Sequence, residues 1–184
     1  NREYGRNRYE RALSSLDAEL ATLLSILPQN TLIVIHGDHG ERVVKTDLQY
    51  RLYRLSRDLL GRKTMKREGH EMDVSEELIR VPLVFTSLDG QGHPTLRPGT
   101  QVGQLVRQID VLPTTLELVG ASVPTGIHGQ SLLPALQNNI PLALEAYLEA
   151  FLRIRSDPRN RRVGWRTEEW KYIYAPQNPS LPQE

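Results

Sequence analysis

Apolar residues at Tyr9, Leu13, Leu16, Leu20, Leu23, Leu24 and Leu27 follow the three-then-four spacing that gives a helix one apolar face. Pro28 and Asn30 end that pattern, because proline cannot continue the backbone hydrogen-bond ladder. The next residues, Thr31 to Ile35, form a short apolar run without alternation. Such a run predicts a strand covered on both faces in an open parallel sheet. A helix feeding a buried strand predicts an α/β fold.

The same order returns further along. Val74 to Ile79 reads as a short helix that Asp73 is placed to cap, and Arg80 to Phe85 reads as a second strand. Gly90 to Gly99, rich in Gly and Pro, predicts a surface loop. After it, Val106, Ile109, Leu112, Leu116 and Val119 line one helical face that ends at Gly120, with Asp110 as a cap and Pro113 tolerated in the first turns. Leu142 to Ile154 fits both alternation and helical spacing, so periodicity leaves it open. Arg162 to Thr167 and Trp170 to Tyr174, flanking Glu168 and Glu169, predict a β-hairpin, with Trp165, Trp170, Tyr172 and Tyr174 packing on its sheet.

Composition narrows the class. A chain of 184 residues with 39% apolar and 24% charged residues is long enough to bury a core and too apolar to be disordered. The formal net charge of +1 argues against a general nucleic-acid or membrane-surface binder. Without cysteine, disulfides and thiolate metal sites are excluded. No apolar run reaches the ~18–20 residues of a membrane span, and the N-terminus has neither a signal-peptide pattern nor an initiator Met. The expectation is a chain that begins mid-protein.

Chemistry concentrates in His36-Gly37-Asp38-His39-Gly40-Glu41, directly after the first strand, where open α/β sheets collect their ligands. Neighbouring strand residues point to opposite faces, so Asp38 and His39 meet one ion only if the chain leaves strand geometry there, a departure that Gly37 and Gly40 permit. A carboxylate beside an imidazole suits a divalent cation, although two ligands fall short of the ~4–8 that such ions take. The residues alone fit two readings, a polar turn and a ligand pair.

Five ordered segments break the tie: YERALSSLD from Tyr9, TLIVIHGDHGE from Thr31, Gly69-His70 followed by EELIRVPLVF, QIDVLPTTLELVG from Gln108, and GIHGQSLLPAL from Gly126. Together with the closing RRVGWRTEEWKYIY, they resemble the C-terminal half of sulfatases, members of the alkaline phosphatase-like superfamily. The resemblance implies a partial three-layer α/β/α core over residues 1–140 and a small C-terminal β subdomain over 141–184. It implies a divalent metal ion on Asp38 and His39, calcium first, with Mg2+, Mn2+ or Zn2+ as alternatives. Further acidic ligands would come from an N-terminal half outside this chain. It places His70 at a position that contacts the anion or the leaving-group oxygen, where an imidazole, with its near-neutral pKa, can donate a hydrogen bond or a proton. Glu41 is read as a carboxylate behind the metal ligands.

The nucleophile that the resemblance implies, a formylglycine from a Cys/Ser-x-Pro-x-Arg motif or a Ser or Thr, has no match. Ser122-Val123-Pro124-Thr125-Gly126 ends in Gly and lies in a turn. The implied activity is therefore metal-dependent hydrolysis of sulfate esters, on a small molecule or a glycan, by a protein of which this chain is an inactive part. Rivals are a phosphoester or phosphonate hydrolase, a phosphoglycerol-type transferase, and a non-catalytic module. The family implies a periplasmic or extracellular setting.

Residues 42–68 form an insertion carrying Arg51, Arg54, Arg57, Arg62, Lys63, Lys66 and Arg67, with Leu48, Leu52, Leu55 and Leu59 on one helical stripe. The preferred reading is a packed helix with a solvated basic face. The sharper one is a lid on which Arg54 and Arg57 draw in a polyanionic substrate. His36, His93 and His128 are read as structural or exposed.

Overall fold

The computed structural model describes residues 5, 8–41, 52, 55, 73–88, 96–150 and 161–174. The chain divides into two compact units, one of residues 1–27 and 41–70 and the other of 28–40 and 71–184.

In the first unit, α1 spans Arg8–Ile26, as the periodicity predicts. Its apolar stripe is largely open, however, with Tyr9, Leu13, Leu16 and Leu23 all exposed. Of the basic insertion, only Leu52 and Leu55 are described. Both are helical and both are 56% exposed, so these two members of the expected packed stripe face solvent. The rest of the insertion lies outside the described residues.

The second unit begins with β1 (Leu32–His36). It pairs with β2 (Leu83–Ser87) in register Leu32↔Ser87 through His36↔Leu83. The pairing is antiparallel, which corrects the parallel arrangement expected from the unbroken apolar run. Neither is β1 covered on both faces, because Ile35 and its partner Val84 are exposed. Lack of alternation reports only that both faces are apolar, and strand direction leaves no trace in it.

Between these strands lies α2 (Glu76–Ile79). Asp73 does not cap it: the carboxylate accepts from the Val74 N–H at 2.9 Å and from Arg162 at 2.6 Å. Val74 and Leu78 are buried. Lys171 reaches back to the Glu76 carboxylate at 3.1 Å.

The segment before Gly120 starts as a 3-10 turn, Gln108–Asp110, and continues as α3, Val111–Leu118. Its orientation corrects the sequence reading. Ile109, Leu112 and Val119 are exposed, whereas Asp110, Pro113, Thr114 and Leu118 are buried. Polar anchoring decides the orientation. The buried Asp110 carboxylate accepts from the Arg107 backbone N–H at 3.0 Å, from Arg107 Nε and Nη2 at 3.0 and 2.8 Å, and from the Gln130 N–H at 3.0 Å. Asp110 stands at the N-cap of α3, as expected, but its carboxylate bonds back to the Arg107 N–H that opens the 3-10 turn and not to α3, and it is a buried junction as well. Four acceptances, two of them from a guanidinium, offset the desolvation of a charge that is costly to bury alone.

One turn on, Thr114 Oγ1 donates to the Asp110 carbonyl at 2.6 Å and accepts the Leu132 N–H at 2.9 Å. Gly129 has no side chain because a Cβ there would collide with the Ile109 carbonyl. The same loop runs into α4 (Leu133–Asn138), which ends at Asn139 in the left-handed conformation, φ 52°.

The ambiguous stretch after Leu142 resolves as β3 (Ala146–Ala150); residues 151–160 lie outside the described set. β3 pairs antiparallel with β4 (Arg162–Arg166), which pairs antiparallel with β5 (Lys171–Tyr174). The predicted hairpin is thus two strands of three. Tyr147, Trp165 and Tyr172 stand opposite one another across the sheet, yet they and Trp170 and Tyr174 are exposed, where packing was expected. The other face contributes Ala146, Gly164 and Ile173 to the buried set.

Replacing Thr114 by valine keeps the shape and removes the hydroxyl, leaving the Leu132 N–H without its acceptor. The expected loss is about 1–3 kcal/mol, read from urea unfolding. A change below about 0.5 kcal/mol, the range of neutral surface substitutions, would contradict the hub described here.

Candidate metal centre

The Gly37–Gly40 turn is where β1 stops being a strand. The Gly37 N–H still reaches the Pro82 carbonyl at 3.2 Å, and the Gly40 N–H donates to Leu78 O at 2.7 Å. Both contacts tie the turn to the α2–β2 segment. Neither glycine takes a left-handed φ, so the conformational freedom expected of them is not what the turn uses. Gly40 supplies space instead: a Cβ there would collide with the Glu77 carbonyl.

Within this turn, Asp38 and His39 point the same way. Asp38 Oδ1 accepts the His39 backbone N–H at 2.9 Å, which leaves strand alternation behind. The other oxygen, Oδ2, stands 3.7 Å from His39 Nε2. On the far side of the ring, Nδ1 lies 2.9 Å from the Gly40 carbonyl. A carbonyl only accepts, so this contact puts a proton on Nδ1 and leaves Nε2 as the nitrogen facing Asp38, the one a cation would use. A backbone carbonyl holding the opposite nitrogen of a ligating histidine is the usual way to fix tautomer and ring direction.

The pair fits a divalent cation. At 3.7 Å the two atoms are too far apart for a hydrogen bond, but an ion about 2.0–2.5 Å from each donor spans that separation. Both side chains are accessible, with relative exposures of 86% for Asp38 and 41% for His39. Among the described residues, no group of three or more His, Asp or Glu side chains could hold a metal.

One residue that sequence reasoning missed touches this turn. Gln108 Nε2 donates to Gly37 O at 2.6 Å and to Asp38 O at 2.9 Å, across about seventy positions of sequence. A lone amide belongs to no spacing pattern, and its only signal was membership of the QIDVLPTTLELVG segment. His36 and His128 are exposed, as expected. His70, Arg54, Arg57 and His93 lie outside the described residues. Glu41 follows the turn, partly buried.

A Gly40→Ala substitution is expected to push the turn away from α2 and cost more than about 2 kcal/mol, the scale of backbone clashes in packed sites. Thermal unfolding checks it; an unchanged melting temperature would show that the Glu77 carbonyl yields.

Comparison with known proteins follows the same residues. The sulfatase family model matches residues 2–121, and the model described as N-sulphoglucosamine sulphohydrolase, C-terminal, matches residues 71–180. Arylsulfatase K of Canis lupus familiaris is 26% identical over an alignment of 168 residues that covers 85% of this chain and 26% of that protein. The chain thus spans about a quarter of that relative's length. A solved structure in complex with its substrate D-glucosamine-2-N,6-O-disulfate aligns with TM-score 0.63 and 23% identity, over 90% of this chain and 30% of that one. A phosphonate monoester hydrolase from Silicibacter pomeroyi aligns with TM-score 0.56 and 20% identity, over 95% and 31%. These structural likenesses establish the alkaline phosphatase-like α/β fold over the part that the chain covers. With the Asp38–His39 turn inside one family match and the closing sheet inside the other, the chain belongs to the sulfatase family.

Proposed function

We propose that this chain is part of a metal-dependent sulfuric ester hydrolase, to whose divalent-cation site it contributes Asp38 and His39. The observation that carries the reading is the pair of donor atoms 3.7 Å apart on a turn held to its neighbours by hydrogen bonds. Membership of the sulfatase family supports it.

In this reading Asp38 and His39 would hold the cation, calcium first, with Mg2+, Mn2+ or Zn2+ as alternatives, while the Gly40 carbonyl holds the His39 ring through Nδ1. When bound there, a divalent cation would supply positive charge toward the ester oxygens. The other ligands and the nucleophile come from sequence outside these 184 residues, and the chain by itself does not turn over. His70 gives a proton to the departing alcohol oxygen. The substrate is a sulfate ester on a small molecule or a glycan, in keeping with the sulfated glucosamine bound by the similar structure. Arg54 and Arg57 belong to the basic insertion and act on substrate only if its field reaches the site.

A second reading, hydrolysis of a phosphonate or phosphate ester, is favoured by the fold shared with the phosphonate monoester hydrolase. Rates on aryl sulfate and aryl phosphonate esters decide between them, with faster sulfate hydrolysis expected.

Two further outcomes follow in the complete enzyme. Asp38→Asn and His39→Ala each weaken calcium affinity at least about 100-fold, beyond the 10–100-fold effect of groups that only support a ligand; calorimetric titration checks this, and unchanged affinity removes the site. His70→Ala slows esters of poor leaving groups by about 100-fold or more and activated aryl esters far less, since an acid contributes ~100–10,000-fold where the leaving oxygen needs a proton. Equal losses on both substrates would deny His70 that role.

A further inference from the structure

We infer that Gln108 is a positioning residue for the metal-binding turn. The inference rests on the proposal that Asp38 and His39 hold a cation, and it concerns what keeps them aimed. Both partners of the Gln108 amide nitrogen are carbonyl oxygens, Gly37 O at 2.6 Å and Asp38 O at 2.9 Å. Only the NH2 end of the side chain can face them, and it has one proton for each. Two consecutive peptide groups are thereby fixed by one side chain. The second of them joins Asp38 to His39, so its plane sets the directions in which both side chains leave the backbone.

The clamp is rigid at its base. Gln108 opens the 3-10 turn that ends in Asp110. Asp110 is fully buried and held by Arg107 and the Gln130 N–H. Arg107 Nη1 continues to the Glu145 carbonyl at 2.9 Å, just before β3. The long-range hydrogen-bonded junction therefore terminates in an amide at the back of the ligand turn. Two backbone ties of the turn, Gly37 N–H to Pro82 O and Gly40 N–H to Leu78 O, use its first and last residues. Gln108 grips the middle.

Gln108 is itself solvent-exposed, so a merely structural role would show as a small change in stability and nothing more. A positioning role predicts the reverse: weakened metal binding with the fold nearly unchanged. Groups that orient a ligand typically change affinity 10–100-fold when removed.

The test uses the complete enzyme freed of metal, with Mn2+ as probe, because paramagnetic broadening of amide signals reports which residues lie beside the ion. In wild type, added Mn2+ is expected to broaden the Gly37–Gly40 amides first, and Asp38→Asn to abolish that preference. Gln108→Met, similar in shape and without donors, is expected to need at least about tenfold more Mn2+ for the same broadening, with little change in melting temperature. Leu118→Val, on the buried side of α3, is expected to lower the melting temperature and leave the Mn2+ requirement alone. If Gln108→Met broadens at the wild-type concentration, the positioning role is overturned and the metal site stands. If Leu118→Val raises the requirement as much as Gln108→Met does, the effect is one of stability and the role is again overturned. Wild type with no preferential broadening at the turn overturns the metal reading, and this inference with it.

Discussion

Successive residues of a strand face opposite ways, so two adjacent side chains meet a common ion only where the backbone is forced out of strand geometry and kept there. In this chain the departure happens at Gly37, and hydrogen bonds from both sides hold it. The α2–β2 segment receives the Gly37 and Gly40 N–H groups, and Gln108 donates to the carbonyls between them. Gly40 lets α2 approach closely enough for this, since a Cβ would occupy the place of the Glu77 carbonyl. The consequence is a carboxylate oxygen and an imidazole nitrogen 3.7 Å apart.

What supports the turn is polar and buried. The Asp110 carboxylate is satisfied by Arg107 and Gln130, and Thr114 links the Asp110 backbone carbonyl to the Leu132 N–H. Hydrogen-bonded junctions of this kind fix a single orientation more strictly than apolar packing does, because rotating the helix would leave several buried groups unpaired at once. The orientation of α3 shows the outcome. The face carrying Asp110, Thr114 and Leu118 is buried in preference to the one carrying Ile109, Leu112 and Val119.

Much of this was legible in the residues. Spacing alone located α1, both strands of the first pair and the closing hairpin, and Asp38 and His39 stood out because carboxylate and imidazole follow an apolar run. Other features were hidden for identifiable reasons. Strand direction is invisible to hydropathy, so the antiparallel pairing of β1 with β2 was missed. The α3 face was misread because counting apolar positions ignores a buried carboxylate that brings its own partners. Gln108 was missed because a contact across about seventy residues has no local spacing. The apolar stripes of α1 and the aromatic face of β3–β5 were rightly seen as apolar, yet they are exposed. The chain covers about a quarter to a third of its relatives' length.

The account stands on Asp38 and His39 sharing one cation, and the most direct measurement is anomalous X-ray scattering from crystals of the complete protein grown with Mn2+. The account predicts a single strong peak within bonding distance of both Asp38 Oδ2 and His39 Nε2, with Nδ1 still on the Gly40 carbonyl. A peak elsewhere, or a His39 ring turned so that Nε2 bonds to protein while the ion sits on other residues, would contradict it.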